Sequence, residues 1–284
     1  MDSSYFSIII FIIITIAYCL FAKKPIKIDS YSSDNELKQD STSFTSLGIY
    51  FLIVVTSQFI INSIYLINKC GGSAGNNIGL AAFTTFLPWI FIFGAVIAIL
   101  IIFPGFKSAF SNVVGYFAIS SKANEILGSI LIDPDIEKSI NNGENSTEVA
   151  SNEGDKSHLQ KTAQLILKLC SNKSILINQM TPENFMKVWN LMTSLMKDNG
   201  KGPDIEAKQA ELLKLVVTKD NIGEMMWYIY TGILLSSIVS FRLATQGCIK
   251  SVEQLKASHD EYLQKEAETK KQQDLNNAYS VKLT

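Results

Sequence analysis

The chain has 284 residues, of which 47% are hydrophobic and only 18% charged, with a net charge of −1. The charged share is below the quarter usual in soluble proteins, and a near-neutral balance excludes a global basic field for nucleic acid, so no nucleic-acid partner is expected. The deficit is concentrated, because residues 3–22, 44–68, 70–106 and 225–241 carry no charged side chain. A charge costs about 2.5–3.5 kcal/mol at the centre of a membrane helix, and about 20 apolar residues cross the hydrocarbon layer. The expected fold class is therefore all-α: an integral membrane protein with about four transmembrane helices, an interfacial amphipathic helix and a small helical soluble domain.

Residues 1–22 give the first span. Its acidic start lacks the basic region of a signal peptide, so a retained anchor is expected. Lys23, Lys24, Pro25 and Lys27 stop it, and residues 23–43 read as an irregular polar linker. The second span, residues 44–68, places Gln58 and Asn62 on one helix face, where amides bond a neighbouring helix more often than a substrate. Residues 69–80, with Gly71, Gly72 and Gly75, form a Gly-rich loop that lacks the GK[ST] ending of a phosphate loop. The third span falls within residues 81–106. Pro88 is expected to kink it, and Gly94 and Ala98 form a small-xxx-small face that also allows helix–helix self-association.

Residues 107–132 form an amphipathic segment. Phe106, Phe110, Val113, Val114 and Phe117 recur at helical spacing opposite Lys107, Ser108, Ser111 and Asn112. That pattern suits the lipid interface and equally a helix packed on the soluble domain, and periodicity alone does not choose. Residues 133–224 are expected to be the soluble helical domain. It starts with a polar loop to residue 155, followed by a helix with Leu159, Ala163, Ile166 and Cys170 on one stripe. Thr181-Pro182-Glu183 opens the next helix and Asn199-Gly200 closes it; its Trp189 and Met192 read as core rather than cofactor site. Asp204 caps a third, with Leu212, Leu213, Val216 and Val217 apolar. The fourth span, residues 225–244, opens on an aromatic belt of Trp227, Tyr228 and Tyr230, and residues 245–284 form a charged helical tail.

Lys23, Lys24, Lys27, Lys38, Lys107, Lys122, Lys208, Lys214 and Lys219 flank one side of the spans, against Lys69, Arg242, Lys250 and Lys256 on the other. The positive-inside rule then puts the linker and the soluble domain in the cytosol. Cys70 and Cys248 share the opposite side and can pair, although free thiols are the expectation for these as for Cys19 and Cys170. There is no CxxC pair, and His158 and His259 lie far from any cysteine, so no metal site is expected. The sequons at Asn145 and Asn172 would go unused in a cytosolic domain. Ion-coupled transport and intramembrane hydrolysis both call for an ionisable group or metal ligand at depth, and the span cores carry no charge. No catalytic residue, cofactor or enzymatic activity is expected.

One double motif stands out. Thr84-Thr85-Phe86-Leu87-Pro88-Trp89-Ile90-Phe91-Ile92-Phe93-Gly94 is followed by Phe103-Pro104-Gly105-Phe106-Lys107-Ser108-Ala109-Phe110-Ser111-Asn112-Val113-Val114-Gly115-Tyr116. It resembles a family of multi-span virion membrane proteins of large nucleocytoplasmic DNA viruses, in which a proline–tryptophan membrane helix runs into an FPG-W/F-K-x-x-F-S-N-x-x-G-Y segment. The residues carrying it here are Pro88, Trp89, Gly94, Phe103, Pro104, Gly105, Lys107, Phe110, Ser111, Asn112, Gly115 and Tyr116; Phe106 stands where Trp is expected. The resemblance covers residues 84–132, about a sixth of the chain. It implies a structural protein of the virion inner membrane, an internal host-derived membrane in the infected cell. Its partners would be the lipid bilayer and other capsid or virion membrane proteins, with no catalytic residues carried over. The alternative is a channel or transporter subunit with a pathway lined by Gln58, Asn62, Thr84 and Thr85.

Overall fold

The computed structural model describes residues 3–38, 41–70, 74–131, 172–193, 196, 202–248 and 252–281. The polar loop expected to residue 155, the helix over 158–170, the sequon at Asn145 and the Asn199-Gly200 stop lie outside them. Among the described residues the regular elements are all helical. Helix α1 runs over Ser3–Ala17 and finishes in a π turn at Tyr18–Ala22. Helix α2 is Ser41–Cys70. Helix α3 comprises Ala74–Pro88, a π turn at Trp89–Phe93 and Gly94–Ile102. After a 3-10 turn at Pro104–Lys107, helix α4 runs through Ser108–Phe110, a π turn at Ser111–Gly115 and Tyr116–Ile130. Helices α5 (Lys173–Gln179), α6 (Phe185–Met192), α7 (Pro203–Thr245) and α8 (Val252–Val281) follow.

Four helices are long and apolar enough to cross a membrane: α1, α2, α3 and α7. In α7 the crossing is the uncharged stretch 225–241, and the helix below residue 225 stands outside the hydrocarbon. The bundle is built for lipid: Ile9, Ile13, Leu52, Ile53, Phe91, Ile92, Ile238 and Phe241 face outward, while Ser7, Thr15, Gln58, Asn62 and Thr85 are buried. With hydrocarbon outside, burying an Ile gains little, so packing and interhelical hydrogen bonds hold the bundle. Ser7 donates to Gln58 Oε1, Asn62 Nδ2 donates to Thr85 Oγ1 at 3.0 Å, and Thr15 and Tyr50 hydroxyls meet at 3.0 Å. Aromatic rings fill the centre, with Phe11 5.3 Å from Trp89 and Phe93 5.6 Å from Tyr228. Phe11 can lie against α7 only because residue 232 is glycine; a Cβ there would come within 2.1 Å of its ring.

A second core lies beyond the membrane end of the bundle. It joins Ile119, Ala123, Leu127 and Ile130 of α4 to Leu176 and Ile177 of α5, Phe185, Trp189 and Met192 of α6, and Leu212, Leu213 and Val216 of α7. Trp189 and Met192 are core residues, as read from their spacing.

Several expectations need correction. Residues 203–245 form one continuous helix, so the soluble domain and the fourth span share an element. Lys219, Asp220 and Glu224 look like a boundary in sequence, but side-chain partners satisfy them within the helix. Asp204 does not cap α7; Gly202, at φ 122°, holds the N-cap with Pro203 following, and Asp204 sits in the first turn, where a carboxylate favours the helix dipole. The Gly-rich loop is shorter than residues 69–80, because α2 reaches Cys70 and α3 begins at Ala74. Helix α6 starts at Phe185, since Asn184 closes a turn first: the Thr181 N–H donates to its Oδ1 at 2.8 Å. The linker is ordered where described, with a 3-10 turn at Ile28–Ser30 and a Tyr31–Leu37 bridge, and Tyr31 donates to Pro182 O at 2.6 Å. Pro88 lacks the N–H for the preceding turn, and the π turn at Trp89–Phe93 absorbs the gap. Gly94 lies against the Phe51 ring of α2, and Ala98, one turn further along the same helix, is exposed.

Cys70 and Cys248 form a disulfide, which corrects the expectation of free thiols there. Lys69 brings the two helix ends together, its ammonium donating to Leu243 O, Ala244 O and Gln246 O at 2.8–2.9 Å. These are terminal carbonyls that no intrahelical N–H can satisfy.

Candidate functional site

Part of the motif, Lys107 with Phe110, Ser111, Asn112, Gly115 and Tyr116, converges on one place, the crossing of α4 with α7 where the chain leaves the membrane. Phe103 ends α3 and Pro104 opens the 3-10 turn at a position where its missing N–H costs nothing. That turn delivers Lys107 to the side of α7. Its Nζ lies 3.1 Å from Asp220 Oδ2 and 3.1 Å from Glu224 Oε2. Lys23, arriving from the end of α1, reaches Glu224 Oε1 at 2.9 Å and donates to Asn221 Oδ1 at 2.9 Å. Tyr228 donates to the same Glu224 oxygen at 2.9 Å. Two lysines and two carboxylates thus join the ends of three spans in one nearly enclosed cluster. Burial works against the charge on Lys107, but Glu224 and Asp220 overcome it and hold the ammonium above its ordinary range.

Close backbone approach comes next. A Cβ on Gly115 would lie 2.5 Å from Lys219 O, and one on Gly223 would lie 2.6 Å from Ser111 Cβ. One glycine on each helix, with Ser111 between them, lets α4 and α7 touch main chain to main chain. Lys219 runs beneath this contact, fully buried. Its ammonium donates to Asn112 Oδ1 at 3.2 Å, Ile177 O at 2.8 Å and Asn178 O at 3.3 Å. Burial pushes it down to about 8, with Asp220 opposing. At the membrane edge Phe110 packs edge-on against Trp227, at 5.1 Å between centroids, and Trp227 Nε1 donates to Phe106 O at 2.9 Å. At the far end Tyr116 and Ser174 hydroxyls meet at 2.6 Å.

Lys107, Phe110, Ser111, Asn112, Gly115 and Tyr116 therefore act together as a clasp on α7 and its neighbours. Pro88, Trp89 and Gly94 do not join it. They belong to the bundle interior, where Trp89 is fully buried between Phe11 and Phe93. Gly105 meets no neighbour that a Cβ would disturb, and Phe103 faces outward. The amphipathic face is reversed from that of a soluble helix. The polar side of the segment grips α7, and Phe106, Val113, Val114 and Phe117 are exposed.

No protein-family model, curated protein or solved structure matches this chain. Among the described residues no group of three His, Cys, Asp or Glu is placed to hold a metal ion. The charged groups of the clasp bind one another and join α4 and the end of α1 to α7. The sequence reading missed Lys23, Lys219, Asp220, Gly223 and Glu224 as members of this site. One signal was available: Asp220, Glu224 and Tyr228 are spaced by four, on one helix face, at the edge of an uncharged block.

Proposed function

We propose that this protein is a non-enzymatic structural component of a virion inner membrane, anchoring that bilayer to the icosahedral capsid through minor capsid proteins. The observation that carries this reading is the use of the motif. Its polar residues lock a 43-residue helix that begins in the extramembrane core and ends across the membrane. A straight α-helix of that length spans roughly 65 Å, so force applied to the extramembrane helices reaches the bilayer through one rigid element and its clasp. An anchor needs this continuity and needs no reactive group.

The channel reading is less favoured. Gln58 and Asn62 spend their amides on Ser7 and Thr85 of neighbouring helices, and Thr84 donates to Leu80 O of its own helix at 2.8 Å. In the same reading, the lysine-rich side faces the cytosol and the disulfide lies on the opposite side, where an oxidising compartment favours it. The test is cross-linking of intact particles followed by mass spectrometry. Links from the α4–α7 region to capsid proteins, with the chain released only by detergent, are the expected result. A chain absent from purified particles refutes the proposal, and solute flux through reconstituted vesicles would transfer support to the channel.

A further inference from the structure

The segment that carries the clasp changes the side on which it shows its apolar residues. Over residues 106–118, Lys107, Ser111, Asn112 and Gly115 turn inward to α7, while Phe106, Val113, Val114 and Phe117 are exposed, Phe117 at 78%. Over residues 119–130 the order reverses: Ile119, Ala123, Ile126 and Leu127 are buried, and Ser121, Lys122 and Glu125 are exposed. Helix α7 turns over at the same level. Its last exposed charged side chain before the span is Lys214. Lys219, Asp220 and Glu224 are all buried, and the next exposed charge is Arg242. The two helices run antiparallel in one register, because Ser111 meets Gly223, Gly115 meets Lys219 and Lys122 reaches Glu211 at 2.6 Å. Residue 118 of α4 is therefore level with residue 216 of α7, between Lys214 and Lys219.

We infer that the exposed face of residues 106–118 is a membrane-contact surface, and that the bilayer, headgroups included, ends on this side at the inversion point. A helix facing lipid keeps its polar groups inside, satisfied by its neighbours; a helix facing water does the opposite. An inversion at one level on two packed helices therefore marks a change of solvent. The lengths agree. The uncharged stretch 225–241 rises about 25 Å, against about 30 Å of hydrocarbon and about 40–45 Å of bilayer with its headgroups. Arg242 closes the far end, so a shortfall of about 5 Å and a headgroup layer of about 5–8 Å both fall at the α4 end. Residue 117, beside residue 217, stands about 12 Å beyond residue 225, at the outer edge of that layer. Over this interval α4 makes the lipid contact, and the charges of α7 turn away from it. Its face also continues the lipid-facing side of the span. The Phe110 ring lies 5.1 Å from Trp227 and 6.4 Å from Tyr230, and Tyr230 leads on to exposed Leu234, Ile238 and Phe241. That continuity selects lipid as the occupant over a second copy or another protein. The placement is independent of the virion reading.

The test is spin-label accessibility in the full chain, reconstituted in dioleoyl phosphatidylcholine vesicles. Cys19 and Cys170 are replaced by Ser, the Cys70–Cys248 disulfide is kept, and Val113→Cys, Phe117→Cys, Ser121→Cys and Glu125→Cys each carry one nitroxide in turn. All four positions are exposed, so unchanged helicity is expected and checked for each. Collision with oxygen, which concentrates in lipid, is compared with collision with a water-soluble nickel chelate. Oxygen is expected to dominate at residues 113 and 117 and the chelate at 121 and 125, so the logarithm of the ratio changes sign between 117 and 121. Dominance of the chelate at residue 113 or 117 places that face in water and overturns the inference. Oxygen dominance persisting at residue 121 or 125 overturns the boundary. Exclusion of both agents at 113 and 117, with an immobilised label, shows a protein covering the face and overturns it as well; mutual broadening of the labels would identify that protein as a second copy.

Discussion

Replacing Lys107 by Met tests whether the charged clasp holds α7. The ammonium lies 3.1 Å from both Asp220 Oδ2 and Glu224 Oε2, and all three side chains are at most 14% exposed. At an effective dielectric of 20, each contact is worth about 5 kcal/mol of attraction before desolvation is counted. Most of that offsets the cost of removing the charges from water. What the variant exposes is the asymmetry, because deleting one partner of a buried pair leaves a charge uncompensated, at about 3–5 kcal/mol. Glu224 keeps Lys23 and Tyr228, so Asp220 carries most of the loss and the lower end, about 3 kcal/mol, is expected. Adding Asp220→Leu removes the stranded carboxylate and restores part of the loss, since apolar replacement of a whole buried pair is often neutral. Denaturant unfolding in bicelles, followed by helicity and by Trp fluorescence, measures both variants and the cycle between them. A Lys107→Met loss below about 0.5 kcal/mol, typical of a surface pair, or strict additivity in the double variant, refutes the clasp.

Three further outcomes follow. Gly223→Leu places a side chain where even a Cβ meets Ser111 and Lys107 O below 3 Å. Overpacking of this kind costs about 1–3 kcal/mol or more, and it should be read as lost protease protection of α4, whereas Gly105→Leu should change little. Lys219 binds its proton less tightly in the fold than when unfolded, so the unfolded chain holds more protons between pH 8 and the ordinary lysine value. Stability from this group therefore rises with pH across that window, and unfolding temperatures at pH 7.5 and 9.5 should show a rise that Lys219→Met abolishes. Finally, reduction should expose two additional thiols to maleimide in mass spectrometry, and Cys70→Ser should leave Cys248 labelled without reductant. A cleavable cross-link of the wild-type chain that persists in Cys70→Ser would contradict the pairing.

What the sequence revealed depended on whether a signal was local. The four uncharged blocks were legible because a lipid environment acts on every residue of a span. The pairing role of Gln58 and Asn62 was legible because two amides on one apolar face have few other uses in a membrane. Trp189 and Met192 were legible as core from spacing alone. The clasp was not, because its parts come from residues 23, 107–116 and 219–228, and nothing local says that Gly115 must meet Lys219 main chain to main chain. The charges at 219, 220 and 224 misled for a related reason. Unpaired they would end a buried helix, and only the distant Lys23, Lys107 and Asn112 make them compatible with one. The disulfide was missed because pairing depended on Lys69 drawing the end of α7 to the end of α2. Pro88 marked the place where the third span departs from regular α geometry, and the π turn that follows it accommodates the missing N–H.

The most direct test is flotation of the expressed chain on a density gradient after an alkaline carbonate wash of the membranes. Helices that cross the bilayer stay with the vesicles, so the chain should float with lipid and leave it only when detergent is added. Recovery as a monodisperse polypeptide in the detergent-free soluble fraction would contradict the placement of α1, α2, α3 and the end of α7 in hydrocarbon, and with it the account of the clasp at the membrane boundary.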